Sequence, residues 1–157
     1  MSATASHLLE RELTIVRIFD APRALVWQAW TDPKMMTRWW GPKGFDNPVC
    51  ELDVKVGGAL RIVMRGIDGT EHPMKGLFQE IAPPERLVFT GIAVDESGKH
   101  LLEGVTTVTL EEQNGKTKLT LHTRAVGKVP QAEFMLGGME QGWTESIDRL
   151  EHLLARA

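Results

Sequence analysis

The chain has 157 residues, 42% apolar and 25% charged, with 18 Lys and Arg against 21 Asp and Glu for a net charge of -3. This is the composition of one globular domain, and neither charge sign forms a run that would favour a partner chosen through a nucleic-acid backbone. A single cysteine, Cys50, excludes an internal disulfide and any multi-cysteine metal site, and the absence of tyrosine excludes chemistry that needs a phenol.

Residues 1–10 are small and polar without periodicity and read as a flexible terminus, leaving 11–157 as a single domain. The chain start carries no basic segment followed by an apolar stretch, and no window is long enough to span a bilayer. The expected location is therefore cytoplasmic, without membrane insertion. LTIVRIF, Leu13 to Phe19, is rich in β-branched residues and predicts a strand. Asp20, Ala21 and Pro22 then start a helix that runs to about Trp30. Thr31, Asp32 and Pro33 repeat the start signal, Met35, Met36, Trp39 and Trp40 cover one helical face, and Gly41-Pro42 ends it.

Turn chemistry now recurs at Gly57-Gly58, Asp68-Gly69, Pro83-Pro84, Asp95 to Gly98 and Asn114-Gly115. The segments between predict six strands: Val49 to Val56, Ala59 to Arg65, Glu71 to Ile81, Arg86 to Val94, Leu102 to Glu112 and Thr117 to Arg124. Short connections make neighbours antiparallel. Leu60, Ile62 and Met64, then Met74, Gly76 and Phe78, then Leu87 and Phe89 alternate with polar residues, so one sheet face is apolar. The cover is a long amphipathic helix, with Leu136, Met139, Trp143, Ile147, Leu150 and Leu154 at three- and four-residue steps. Gly137, Gly138 and Gly142 weaken its first half, each by about 1 kcal/mol relative to alanine. The order is β-α-α-β6-α, an α+β fold in which a curved seven-stranded antiparallel sheet wraps a long C-terminal helix and two short helices close its open end.

DAPRALVWQAWTDP from Asp20, RWWGP from Arg38, DVKVGG from Asp53, GLFQEIAPPERLVFT from Gly76 and GMEQGW from Gly138 together resemble the homologues of the activator of the ninety-kilodalton heat-shock chaperone ATPase. The resemblance implies the START-like, SRPBCC superfamily, whose helix-grip fold agrees with the derived order and typically encloses a hydrophobic pocket. It leaves activity open, since that superfamily includes carriers of hydrophobic molecules, cyclases and aromatases, resistance proteins and co-chaperone domains. A stress-response role and a chaperone partner are among its implications.

The chemistry-bearing residues are sparse. His7, His72, His100, His122 and His152 are dispersed without a close ligand pair, and no nucleophile elbow, P-loop or dinucleotide fingerprint occurs, so no catalytic, metal or cofactor site is assigned. Glu51, Asp53 and Lys55 share a strand face that reads as solvated, as does Lys43 in its loop. The more informative set is aromatic and methionine-rich. Met135, Met139, Trp143 and Ile147 are expected to form a helix wall, Met64, Phe78, Phe89 and Thr107 a sheet wall, and Trp39, Trp40 and Phe45 a gate.

The leading expectation is a module that binds a hydrophobic or aromatic small molecule between sheet and C-terminal helix. A cyclase- or hydrolase-like enzyme would instead place a buried Glu, Asp or His with a perturbed pKa in that cavity. A co-chaperone-like interaction module would expose an apolar patch around Trp39 and Trp40. A two-fold homodimer is compatible with all three.

Overall fold

The computed structural model describes residues 9–156, so residues 1–8 of the terminus expected over residues 1–10 lie outside the described residues. Its elements run β1 (Glu10–Phe19), α1 (Arg23–Thr31), α2 (Pro33–Trp39), β2 (Asp46–Leu52), β3 (Ala59–Arg65), β4 (Glu71–Ala82), β5 (Arg86–Val94), β6 (His100–Gln113), β7 (Lys116–Gly127), α3 (Ala132–Gly137) and α4 (Met139–Ala155). The seven strands form one antiparallel sheet in the order β1-β7-β6-β5-β4-β3-β2. This is the expected helix-grip architecture.

Boundaries differ where backbone partners reach further than side-chain pattern. Glu10 already pairs with Val126, so ordered structure begins before residue 11. The second strand runs Asp46–Leu52 rather than to Val56, because Asp53 to Gly58 close a tight turn. There Lys55 N–H donates to Asp53 O and Gly58 N–H to Lys55 O, while Gly57 takes φ +82°. A Cβ on Gly58 would lie 2.0 Å from Asp53 O, so only glycine fits.

The long helix is interrupted. Gly138 joins α3 to α4, and the Arg11 guanidinium donates to the carbonyls of Leu136 (2.9 Å) and Gly137 (3.3 Å) just before the junction. A basic side chain here satisfies carbonyls that a helix end leaves without partners, which stabilises the break that the glycines permit. The remaining α4 buries Ile147, Leu150 and Leu154 against the concave sheet face, where Leu87, Val108, Leu110, Leu119 and Leu121 face it. Each such side chain contributes about 2 kcal/mol of transfer free energy.

The two short helices plug one end. The Asp32 carboxylate accepts Lys34 N–H at 2.9 Å and Pro33 occupies the first turn of α2, so the predicted start signal is a working cap. Asn47 then ties α2 to β2: its side-chain amide donates to Thr37 O (3.0 Å) and Trp40 O (2.8 Å), while the Thr37 hydroxyl donates to Asn47 O.

Candidate functional site

Beyond the filled part of the groove, sheet and α4 diverge around a cavity of about 300 Å³ that opens to the surface. The register explains which sheet residues reach it. Ile62 pairs with Met74, Met74 with Ala93 and Ala93 with Leu102, so one row crosses β3 to β6, and the Met64–His72 pair lies two residues further along β3 and β4. A small-residue row separates it from the core. Gly91 faces Gly104, Gly104 faces Ala125, and Gly76 lies between Met74 and Phe78 on β4. On the helix side Met139, Gly142, Trp143 and Ser146 fall at i, i+3, i+4 and i+7, one face of α4. Met135 of α3 overhangs the opening.

The third wall is the strap after α2. Trp40 leaves the helix with extended backbone and Gly41 follows at φ +95°, turning Pro42 toward the groove. A Cβ on Gly41 would lie 2.9 Å from Met64 Sδ, and one on Gly142 would lie 3.6 Å from Pro42 Cγ. The strap is thus packed between β3 and α4. Arg149 holds it there: Nη1 donates to Trp40 O (3.1 Å), Gly41 O (2.9 Å) and Pro42 O (3.1 Å), and Nη2 to Arg38 O (3.2 Å). Partial burial pushes this guanidinium below its ordinary pKa.

Four of the five tryptophans meet at the inner end of the cavity. Trp30 and Trp39 contact edge to face at 4.6 Å, Trp30 stacks with Trp143 at 6.4 Å, and Trp40 stands 80° to Trp143 at 5.3 Å. Aromatic pairs favour these offset and perpendicular arrangements. Trp39 spends its N–H on Ala29 O at 2.9 Å, whereas the buried Trp30 N–H has no partner.

Of the eleven side chains expected at the site, six line the cavity together: Trp40, Phe45, Met64, Met135, Met139 and Trp143. The other five do not. Trp39 and Ile147 are fully buried, because α2 ends between Trp39 and Trp40 and because Ile147 falls one turn beyond Trp143 where the groove is filled. Phe78 and Phe89 sit in the core, ring centroids 6.4 Å apart, beside a void of only about 10 Å³. Thr107 points to the outer sheet face. Even-numbered Thr106, Val108 and Leu110 take the inner one, where Thr106 and Thr123 share a hydroxyl hydrogen bond of 2.9 Å. Met74, Ala93, Leu102, Pro42 and Ser146 line the cavity without having been anticipated. Continuing the alternation from Phe78 to Met74 and from Phe89 to Ala93 reaches two of them.

Among the described residues the lining contains no carboxylate and no lysine or arginine, and His72 is its one titratable group. His72 lies at the rim, edge to face with Phe45 at 5.8 Å. Asp68 is held below the ordinary carboxylate range by the Thr70 N–H and hydroxyl, with a smaller contribution from His72. Glu80 and Glu103 engage Arg86 and His100 outside the cavity, and His122 pairs with Glu12 on the outer face. Burial pushes the Cys50 thiol up to about 11, with Asp32 and Glu51 adding to the effect. Among the described residues no group of three or more His, Cys, Asp or Glu is arranged to hold a metal ion. No helix there is long and apolar enough to cross a membrane.

Sheet, closing helices and grip helix define a START-like, helix-grip protein. A family model described as Activator of Hsp90 ATPase homolog 1-like protein matches residues 20–155, and the chain belongs to that family. A solution structure of a protein from Arthrobacter aurescens is similar at 30% identity and TM-score 0.81, covering 97% of this chain and 89% of that one. The AHSA1 protein from Silicibacter pomeroyi matches at 25% identity and TM-score 0.78, covering 92% and 98%. A protein from Chromobacterium violaceum matches at 27% identity and TM-score 0.73, covering 91% and 96%. No curated protein matches the chain.

Proposed function

We infer that the protein binds a hydrophobic or aromatic small molecule in the cavity between the open end of the sheet and α4. The observation that carries this reading is the cavity itself: about 300 Å³, walled by methionine, tryptophan, proline and leucine side chains. That volume lies at the lower end of the range of small-molecule sites, and methionine-rich walls adapt to ligand shape. The lack of a carboxylate in the lining among the described residues favours binding over an acid-base reaction. Burial of Trp39 and Trp40, the latter 7% exposed, disfavours a protein-docking patch centred on them. The single half-buried cysteine suits a reducing cytoplasm.

Native mass spectrometry of freshly purified protein, compared with its denatured mass, tests for a co-purified ligand. Calorimetric titration with uncharged aromatic hydrocarbons then tests for saturable binding. Ala93→Phe, which fills the sheet wall, is expected to abolish binding while the protein stays folded. Absence of both an adduct and saturable binding overturns the reading, as does binding unchanged by Ala93→Phe.

A further inference from the structure

We propose that the cavity selects an uncharged, planar ligand of about two fused rings that carries a hydrogen-bond acceptor, and that it rejects carboxylates. The proposal rests on the binding reading above and specifies the ligand of the same site. Size sets the first limit: a dry cavity of about 150 Å³ accommodates one benzene ring, and this one is twice as large. Shape sets the second. Trp40 and Trp143 form a right-angled corner, with ring planes 80° apart and centroids at 5.3 Å. A flat ring laid against one indole face meets the other indole edge-on, and both are favoured aromatic contacts. A branched aliphatic body gains neither.

The polar groups set the third. The Ser146 hydroxyl is already spent on Gly142 O at 2.9 Å. Trp40 and Trp143 line the cavity, no hydrogen bond joins either indole N–H to another described residue, and neither is sealed off as the Trp30 N–H is. Tryptophan donates and never accepts, so a carbonyl or ether oxygen on the ligand is the matching group. Charge sets the last. Among the described residues no lysine or arginine lines the cavity, and Arg149, which holds the strap, is committed to four main-chain carbonyls. A carboxylate brought inside would lose its hydration without a fixed counter-charge, and the Asp68 carboxylate at the β3–β4 turn would repel it. His72 at the rim is the one group that could offset this, so it enters the test.

The probes are naphthalene, methyl 2-naphthoate and 2-naphthoate, titrated into the full-length protein with ligand-observed NMR. The ester is expected to bind about tenfold tighter than naphthalene, the worth of one net hydrogen bond. It should bind about a hundredfold tighter than the carboxylate, in the native protein and in His72→Gln. In Trp40→Phe and Trp143→Phe, which keep a ring and delete the N–H, the ester's advantage over naphthalene is expected to fall toward one in at least one variant. Carboxylate binding as tight as ester binding overturns the proposal, and so does an ester advantage that survives in both folded phenylalanine variants. Should those variants fail to fold, the ranking of the three probes on the native protein still decides the matter. Naphthalene binding without discrimination overturns the selectivity and leaves the binding reading standing, whereas no binding by any probe overturns both.

Discussion

Arg149→Met tests the role of the strap because it keeps most of the aliphatic stem and deletes the guanidinium. Nη1 has two protons for three carbonyls, so the contacts to Trp40, Gly41 and Pro42 are shared. Trp40 O keeps Asn47 and Pro42 O keeps the Phe45 N–H, so Gly41 O and Arg38 O are the carbonyls left without another partner among the described residues. Losing a charged donor from the half-buried Gly41 carbonyl costs about 1.5–3 kcal/mol, whereas the exposed Arg38 carbonyl turns to water. Releasing the desolvated charge returns part of it, and a net cost of about 2 kcal/mol is expected. For a domain of this length that lowers Tm by about 4–8 °C in differential scanning calorimetry. Naphthalene affinity should fall by more than stability alone explains, since Gly41 and Pro42 form a wall of the cavity. Arg149→Lys, with one compact ammonium instead of a fork, should recover only part of the loss. A Tm within about one degree of the native protein, with unchanged affinity, would refute the reasoning and place water on the Gly41 carbonyl as well.

Other substitutions separate the fold from the site. Ile147→Ala, in the filled groove, is expected to cost about 2–5 kcal/mol in urea unfolding, and a cost below about 1 kcal/mol would show that the groove is slack there. Gly76→Ala places a Cβ 1.9 Å from Thr90 O and should destabilise by several kcal/mol or prevent folding, whereas the same change at Gly69 has open space and only the strain of φ +85°. The Cys50 thiol, raised to about 11 from an ordinary value near 9, should react with a maleimide at pH 8 about a hundredfold more slowly than in the urea-unfolded chain, through its smaller thiolate fraction. The sign for stability follows: the folded state holds the proton more tightly, so this contribution is complete below about pH 9 and is lost as pH rises toward about 11. Equal labelling rates in both states would contradict the burial of that thiol.

Much of the architecture was legible because turn residues punctuate the chain and period-two alternation chooses a face. The site was less so. Trp143 and Ile147 lie on one helical stripe, and periodicity says that both point inward without saying what each meets. Trp39 and Trp40 are neighbours in sequence, yet one ends a helix inside the core and the other begins the strap. Thr107 was misplaced by one residue of phase, an error that the apolar partners Val108 and Leu110 could have corrected. Arg149 falls off the apolar stripe, where the helical pattern assigns it no partner. Its carbonyl partners lie 107 to 111 residues away, and no local pattern encodes such a contact.

The division of α4 into a buried half and a lining half has an evolutionary consequence. Ile147, Leu150 and Leu154 secure the helix to the sheet, while Met139, Gly142 and Trp143, one to two turns earlier, face open volume. Well-separated sites contribute nearly independently to stability, so drift at Met139 is weakly penalised while drift at Leu150 and Leu154 is purged, and Trp143, packed against the core, lies between these extremes. A descendant could therefore change its preferred guest through a few substitutions near the start of this helix and inherit the scaffold intact.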